Sequence, residues 1–218
     1  MLAYHIKLSL DTRAYFSDLE PTERLALTCA RLSLLETLTP EDRQALLPRI
    51  VRVKARRLSE ITSVVGRQGS GPFFFSPELR DMLEQLEPGV HEFHPTEVRR
   101  FPLDPQGGDP VLGTYYLLVT PVNVQAIVRE RTHFSKGVGA FRESGGSLSG
   151  NPRNPCVLRA GAIQGRHFWR EVQKVPSPTG PDGNRTKIYF FCSDGFHDQF
   201  QARGFDGFDF IRKCLVEA

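Results

Sequence analysis

Two stretches of the chain, residues 73–93 and 189–212, share one order of features. Each begins with an aromatic run typical of a buried strand, and each continues with a serine, Ser76 or Ser193, suited to accept a backbone N–H at a helix start. Apolar residues at helical spacing follow, and a glycine stands where each helix would end. Because the serines are 117 residues apart (193 − 76), the chain is predicted to contain two copies of a strand–helix–strand unit. The alternative is two unrelated capped helices.

The region before residue 49 carries the clearest leucine-rich helical pattern. Residues 4–10 alternate, which predicts a strand, and leucines then recur at helical spacing over residues 21–38. Threonine, proline and two acids at residues 39–42 predict the start of a second helix. Because about 50 residues make a marginal core alone, we expect residues 1–48 to form a helical N-terminal segment docked on a domain of residues 49–218.

Most of the remaining periodicity is that of strands. Residues 50–57 alternate, and residues 94–101 and 112–120 flank a turn rich in glycine and proline, which predicts a hairpin. The apolar run at 115–119 predicts a central strand, and residues 156–158 predict another strand. We therefore expect an α+β fold, in which mostly antiparallel strands form one or two sheets with helices packed against them.

The composition is that of an ordinary soluble protein. Of 218 residues, 39% are hydrophobic and 24% are charged. A formal net charge of +3 is too small to indicate a nucleic-acid or membrane partner, and no stretch approaches the roughly 18 apolar residues of a membrane span. Four scattered cysteines without a close pair favour reduced thiols. Without a signal-peptide pattern, the expected location is cytoplasmic, and the oligomeric state is left open.

One cluster of reactive side chains suits a catalytic site. Cys192 stands near a predicted helix start, where a thiol pKa is often lowered, and His197 follows as its base. This pair would suit a thiol-dependent hydrolase or transferase. However, Cys192 continues an aromatic strand and corresponds to Phe75 in the first copy, so its side chain is expected in the core. We therefore expect no enzyme and no catalytic residue.

Histidines and glycines give only weak signals for ligands. His91 and His94 could bind a metal together with His133 or Asp104. Residues three apart on a strand point to opposite faces, however, and no zinc-binding spacing is present. The glycine-rich segments match no phosphate-binding pattern. We therefore expect neither a metal nor a cofactor.

A run of basic residues leaves two interpretations open. Between residues 49 and 67 there are six basic side chains and a single acid, Glu60. They could form a positive stripe for an acidic partner or for phosphates, or they could protect an edge strand from pairing with another sheet. The six are Arg49, Arg52, Lys54, Arg56, Arg57 and Arg67.

The order of these stretches resembles that of immunity protein family eleven. The resemblance is carried by FFFSPELRDMLEQLEPGVHEFHPTEV, YYLLVTPVNV, VLRAGAIQGRHFWR and FFCSDGFHDQFQARGFDGFDF. It implies a bacterial protein encoded beside a polymorphic secreted toxin, with an immunity-type domain at residues 49–218. The implied function is neutralisation of that toxin by direct binding to its catalytic domain, which is the expected partner. The alternatives are the thiol enzyme and a secretion adaptor that uses the N-terminal helices.

Two segments are candidate contacts with such a partner. Residues 137–155 form the longest stretch without periodicity, and exposed apolar side chains in a loop are costly unless they bind something. The segment around Trp169 is the second choice, since Trp and Arg are frequent hot spots, although a single tryptophan more often fills a core. The predicted contacts are Phe141, Arg142, Leu148, Arg153, Trp169 and Arg170.

Overall fold

The computed structural model of the chain describes residues 2–8, 14–15, 50–53, 64–66, 73–100, 110–119, 123–134, 148, 151, 153–176 and 184–218. Within these ranges the strands are β1 (Leu2–Leu8), β2 (Ala14–Tyr15), β3 (Ile50–Val53), β4 (Val64–Gly66), β5 (Phe73–Phe75), β6 (Glu92–Arg100), β7 (Val111–Val119), β8 (Val157–Arg159), β9 (Phe168–Pro176), β10 (Asn184–Ser193) and β11 (Phe208–Glu217). The helices are α1 (Pro77–Leu86), α2 (Ala160–Ile163) and α3 (Asp194–Ala202), with a 3-10 turn at Arg129–Arg131.

The strands form two sheets. One sheet has the order β8-β11-β1-β10-β9, and the other has the order β2-β3-β6-β7-β5-β4. The chain divides into two compact modules. Module C contains residues 1–7, 122–198 and 209–218, and module N contains residues 8–121 and 199–208, so that the division falls within α3.

The predicted α+β class is wrong, because the described chain is mostly strand and its helices have only 4 to 10 residues. Residues 2–8 form β1 within a sheet. The predicted helices at 21–38 and 40–47, and the predicted boundary at 48/49, lie outside the described residues. Five strands have four residues or fewer, which is too short for a clear alternating pattern in the sequence. No helix in the described part of the chain has the length and apolarity to cross a membrane.

Module N is built on the aromatic strand β5, whose three phenylalanines are buried. α1 follows it directly, with the Ser76 hydroxyl accepting the Leu79 N–H at 3.3 Å and Pro77 as the first helical residue, as predicted. Gly89, with a φ of +68°, takes the left-handed conformation that turns the chain toward β6. The predicted hairpin of β6 and β7 is confirmed, and β7 lies between β6 and β5.

Module C carries the second predicted serine cap. The Ser193 hydroxyl accepts the Phe196 N–H at 3.1 Å, and the acidic residue Asp194 is in the first turn of α3. The ring of Phe168 lies 5.6 Å from that of Phe196, which places aromatic side chains between the sheet and the helix. This burial of large apolar rings is the main stabilisation of the helix, because a nine-residue helix is marginal alone.

The two strand–helix–strand repeats share one sheet arrangement. In repeat 1 (β5–α1–β6), β7 lies between the two strands; in repeat 2 (β10–α3–β11), β1 lies between them. Phe75, just before the first cap, pairs with Tyr116 of β7, and Cys192, just before the second, pairs with Tyr4 of β1. The outer neighbours also correspond, since β3 is parallel to β6 and β8 is parallel to β11. Strand β1 therefore has in module C the place that β7 has in module N.

Residues 123–128 cover both outer strands of the module C sheet. The N–H of Val124 donates to the Arg170 carbonyl of β9 at 2.8 Å, and the N–H of Val128 donates to the Val157 carbonyl of β8 at 2.9 Å. Some backbone hydrogen-bonding groups of both edge strands thereby have partners, which protects these strands from pairing with other chains.

Candidate binding surface

Cys192, the predicted nucleophile, is fully buried on β10. Burial, and to a smaller extent the charge of Asp194, raises the pKa of its thiol well above the ordinary value. The side chain therefore stays protonated and lacks the thiolate that attack requires. Its expected place in the core is confirmed. The predicted base, His197, stacks on Tyr4 and places its Nδ1 2.9 Å from the Asp198 carboxylate.

A different pair, Ser193 and His167, also resembles a nucleophile with its base. The Nδ1 atom of His167 lies 2.8 Å from the Ser193 hydroxyl, although the two residues are 26 positions apart. A Cβ at Gly195 would lie 3.3 Å from the His167 ring, so this close approach favours glycine. However, Ser193 is only 5% exposed and already accepts a helix N–H, as Ser76 does in repeat 1. Helix capping accounts for this serine.

The histidines considered as metal ligands lie in different environments in the structure. The Nε2 atom of His91 lies 2.9 Å from the Glu87 carboxylate, and both side chains are almost completely buried. His94 is partly exposed on β6, His133 is exposed in module C, and Asp104 lies outside the described residues. Among the described residues there is no group of three or more His, Cys, Asp or Glu suited to hold a metal ion.

The six predicted contact residues fall into three groups. Phe141 and Arg142 lie outside the described residues. Arg153 is exposed. The other three are buried, with 3%, 0% and 6% of their surface exposed: Leu148, Trp169 and Arg170. Trp169 stacks on Phe191 with 5.8 Å between ring centroids, so it fills the core.

Arg153 stands on a turn that is anchored from inside the module. Arg212 is 2% exposed, and its guanidinium donates to the carbonyl oxygens of Asn151 and Asn154 at 3.2 and 3.3 Å. The Arg153 N–H in turn donates to the Asn151 side-chain oxygen at 3.0 Å. These bonds fix the backbone on which the exposed arginine side chain stands.

Glu171 is a buried carboxylate that no sequence pattern singled out. One of its oxygens accepts the N–H groups of Ala126 and Ile127 at 3.0 and 2.9 Å, and the other accepts from Gln173 at 2.9 Å. Burial raises the pKa of Glu171, and these hydrogen bonds oppose the rise. The carboxylate thus ties residues 123–128 to β9.

Three partly exposed rings and two carboxylates form a surface on module C that sequence patterns did not indicate. The rings of Tyr4 and His197 stack at 4.1 Å, and Phe210 meets His197 edge-on at 4.7 Å. The Asp198 side chain is 76% exposed. Asp194 accepts the N–H of Leu2 at 3.3 Å, on the same strand β1 as Tyr4. Burial, and then the charge of Asp198, raises the pKa of Tyr4. We call these five residues the acidic aromatic surface.

Comparison with known proteins identifies the family. A comparison with curated proteins gives no match. The model of one family, described as Immunity protein family (Imm11), matches residues 47–213. This range includes all four stretches that carried the resemblance, among them α1 and α3 with their serine caps. The chain belongs to the Imm11 immunity protein family.

Proposed function

We propose that this protein neutralises a cognate secreted antibacterial toxin by binding stoichiometrically to the toxin's catalytic domain in the cytoplasm of the producing cell. Membership of the Imm11 family carries the proposal, because an immunity role implies a toxin as the protein partner. Direct binding also fits the state of Cys192, which is buried and protonated. Inhibition by binding needs a well-packed interface and no bond chemistry.

We further propose that Arg153 contacts the toxin, together with Phe141 and Arg142 of the same sequence segment. Arg153 is exposed, and Arg212 fixes the turn that presents it. An arginine on a fixed backbone loses less conformational entropy on binding than one on a free loop. Arginine is also among the residues most often found at interface hot spots.

The test uses the C-terminal domain of the secreted protein encoded beside this gene. We expect the two chains to co-purify, to form a 1:1 complex by calorimetry and to restore growth of cells that express the toxin domain. Cell fractionation is expected to place the protein in the cytoplasm. The absence of both complex formation and protection would contradict the proposal. Protection by amounts of this protein far below those of the toxin would also contradict it.

Arg153→Ala is expected to weaken the complex, and Arg203→Ala serves as its control. Arg203 is also exposed, but it donates to the Gln85 side chain at 3.2 Å within module N. If both variants bind like the unchanged protein, Arg153 is not a contact. Growth protection is measured in parallel, and unfolding curves separate a lost contact from a misfolded variant.

A further inference from the structure

In repeat 1 a tyrosine ring and a carboxylate of α1 both contact the side chain of one arginine. The guanidinium carbon of Arg80 lies 4.0 Å from the centroid of the Tyr116 ring. The Nε atom of the same arginine donates to the Asp81 carboxylate at 2.8 Å. Module N therefore supplies its own cation, which is both stacked on a ring and paired with an acid.

Repeat 2 keeps the ring and the carboxylate but changes the residue between them. Tyr4 corresponds to Tyr116, because each pairs with the residue just before a cap serine. Asp198 corresponds to Asp81, and His197 stands at the position of Arg80, both at the offset of 117 residues (198 − 81). The imidazole covers the Tyr4 ring at 4.1 Å, but it lacks the length and the permanent charge of an arginine.

The negative charge of repeat 2 is correspondingly more exposed. The side chain of Asp198 is 76% exposed, compared with 54% for Asp81. Asp194 stands where repeat 1 has Pro77, and it adds a second carboxylate beside β1, where it accepts the Leu2 N–H at 3.3 Å. This local charge contrasts with the formal net charge of +3 of the whole chain. Complementarity at this surface would therefore act at short range, because the overall charge does not attract a basic partner.

We infer that the acidic aromatic surface receives an arginine or lysine side chain of the toxin, which supplies there the charge that Arg80 supplies in repeat 1. The inference rests on the proposed function and names one part of the interface. The carboxylate of Asp198 pairs with the incoming cation, and the partly exposed ring edges of His197 and Phe210 contact its stem.

Two substitutions test this surface in different ways. Asp198→Asn removes the charge and keeps the shape, and His197→Arg places the chain's own guanidinium where repeat 1 has Arg80. Each is expected to weaken toxin-domain binding about tenfold, the effect of losing one charge pair at an interface. Asp81→Asn is the matched control at the equivalent helix position, and it is expected to change the dissociation constant less than about twofold.

The readouts are calorimetric dissociation constants with the toxin domain at low and high salt, and the elution volume of each variant alone. Rising salt should weaken toxin-domain binding by the unchanged protein more than it weakens binding by the Asp198→Asn variant. If the unchanged protein forms no complex, the proposed function itself fails. If it forms a complex and both variants bind equally well, only this surface assignment fails. Dimerisation of the unchanged protein that Asp198→Asn abolishes would assign the surface to a second copy of this chain instead.

Discussion

His5 provides a pH-dependent test of the packing of module C. Its side chain is 2% exposed on β1, between strands β10 and β11. Its ring lies 5.4 Å from that of Phe191, and its Nδ1 atom has no hydrogen-bond partner among the residues that the structure describes. Burial, and then the charges of Lys7 and Arg212, lowers the pKa of His5 from 6.5 to about 3. The folded protein therefore holds this ring neutral.

The sign of the effect follows from comparing the two states. Above pH 6.5 the imidazole of His5 is neutral in both states, and its titration contributes nothing to stability. Below that pH the imidazole of His5 is protonated in the unfolded chain, whereas in the folded chain it stays neutral down to about pH 3. The free energy of unfolding then falls by about 1.4 kcal/mol per pH unit, so that at pH 5.0 the loss due to His5 is about 2 kcal/mol.

The assay compares urea unfolding at pH 7.5 and pH 5.0 for the unchanged protein and for His5→Leu. All other titrating groups are shared, so the unchanged protein is expected to lose about 2 kcal/mol more than the variant. His133→Leu, which removes an exposed histidine, is expected to behave like the unchanged protein. Equal losses for the unchanged protein and His5→Leu would refute the buried, neutral state of this ring.

Three other substitutions address the caps, the buried carboxylate and the thiol. Ser76→Ala is expected to cost about 1 kcal/mol in urea unfolding, whereas Ser193→Ala should cost about 2 kcal/mol, because it also loses the bond to His167. Equal costs would show that the histidine bond contributes nothing. Glu171→Ala leaves two backbone N–H groups without their acceptor, so we expect a loss of about 3 kcal/mol and faster hydrogen exchange at both amides; unchanged exchange would contradict the anchoring role. Cys192→Ala is expected to cost about 1 kcal/mol and to protect cells fully, and a folded variant without protection would restore the thiol-enzyme hypothesis.

Local signals explain why the two repeats were predictable. Ser76 and Ser193 are each followed by a helix whose first-turn N–H they accept, and these bonds join residues only three positions apart. Glycines with positive φ mark the chain reversal after each helix. The sequence signals for the strand, the cap, the helix and the glycine therefore all lie within about 20 residues. Over this range, periodicity predicts secondary structure.

Long-range pairing explains what the sequence did not show. The central strand of repeat 1, β7, follows β6 in a hairpin and is therefore close in sequence. The central strand of repeat 2 is β1, which is distant in sequence: its Leu2 N–H donates to Asp194, 192 residues away. No local pattern indicates such a partner. The acidic aromatic surface depends on the same pairing, because it brings Tyr4 to α3. The side of the sheet faced by Trp169 also depends on register, which one sequence does not determine.

The central position of β1 in its sheet also determines when during synthesis that sheet can form. Its partners β10 and β11 lie within residues 184–217, so β1 leaves the ribosome long before any strand with which it pairs. At about 5–20 residues per second, the wait is on the order of 10–40 s. During that time a strand with buried side chains such as Ile6 has no sheet to join and is a target for chaperones. A newly made chain therefore cannot complete the module C sheet until β10 and β11 have been synthesised.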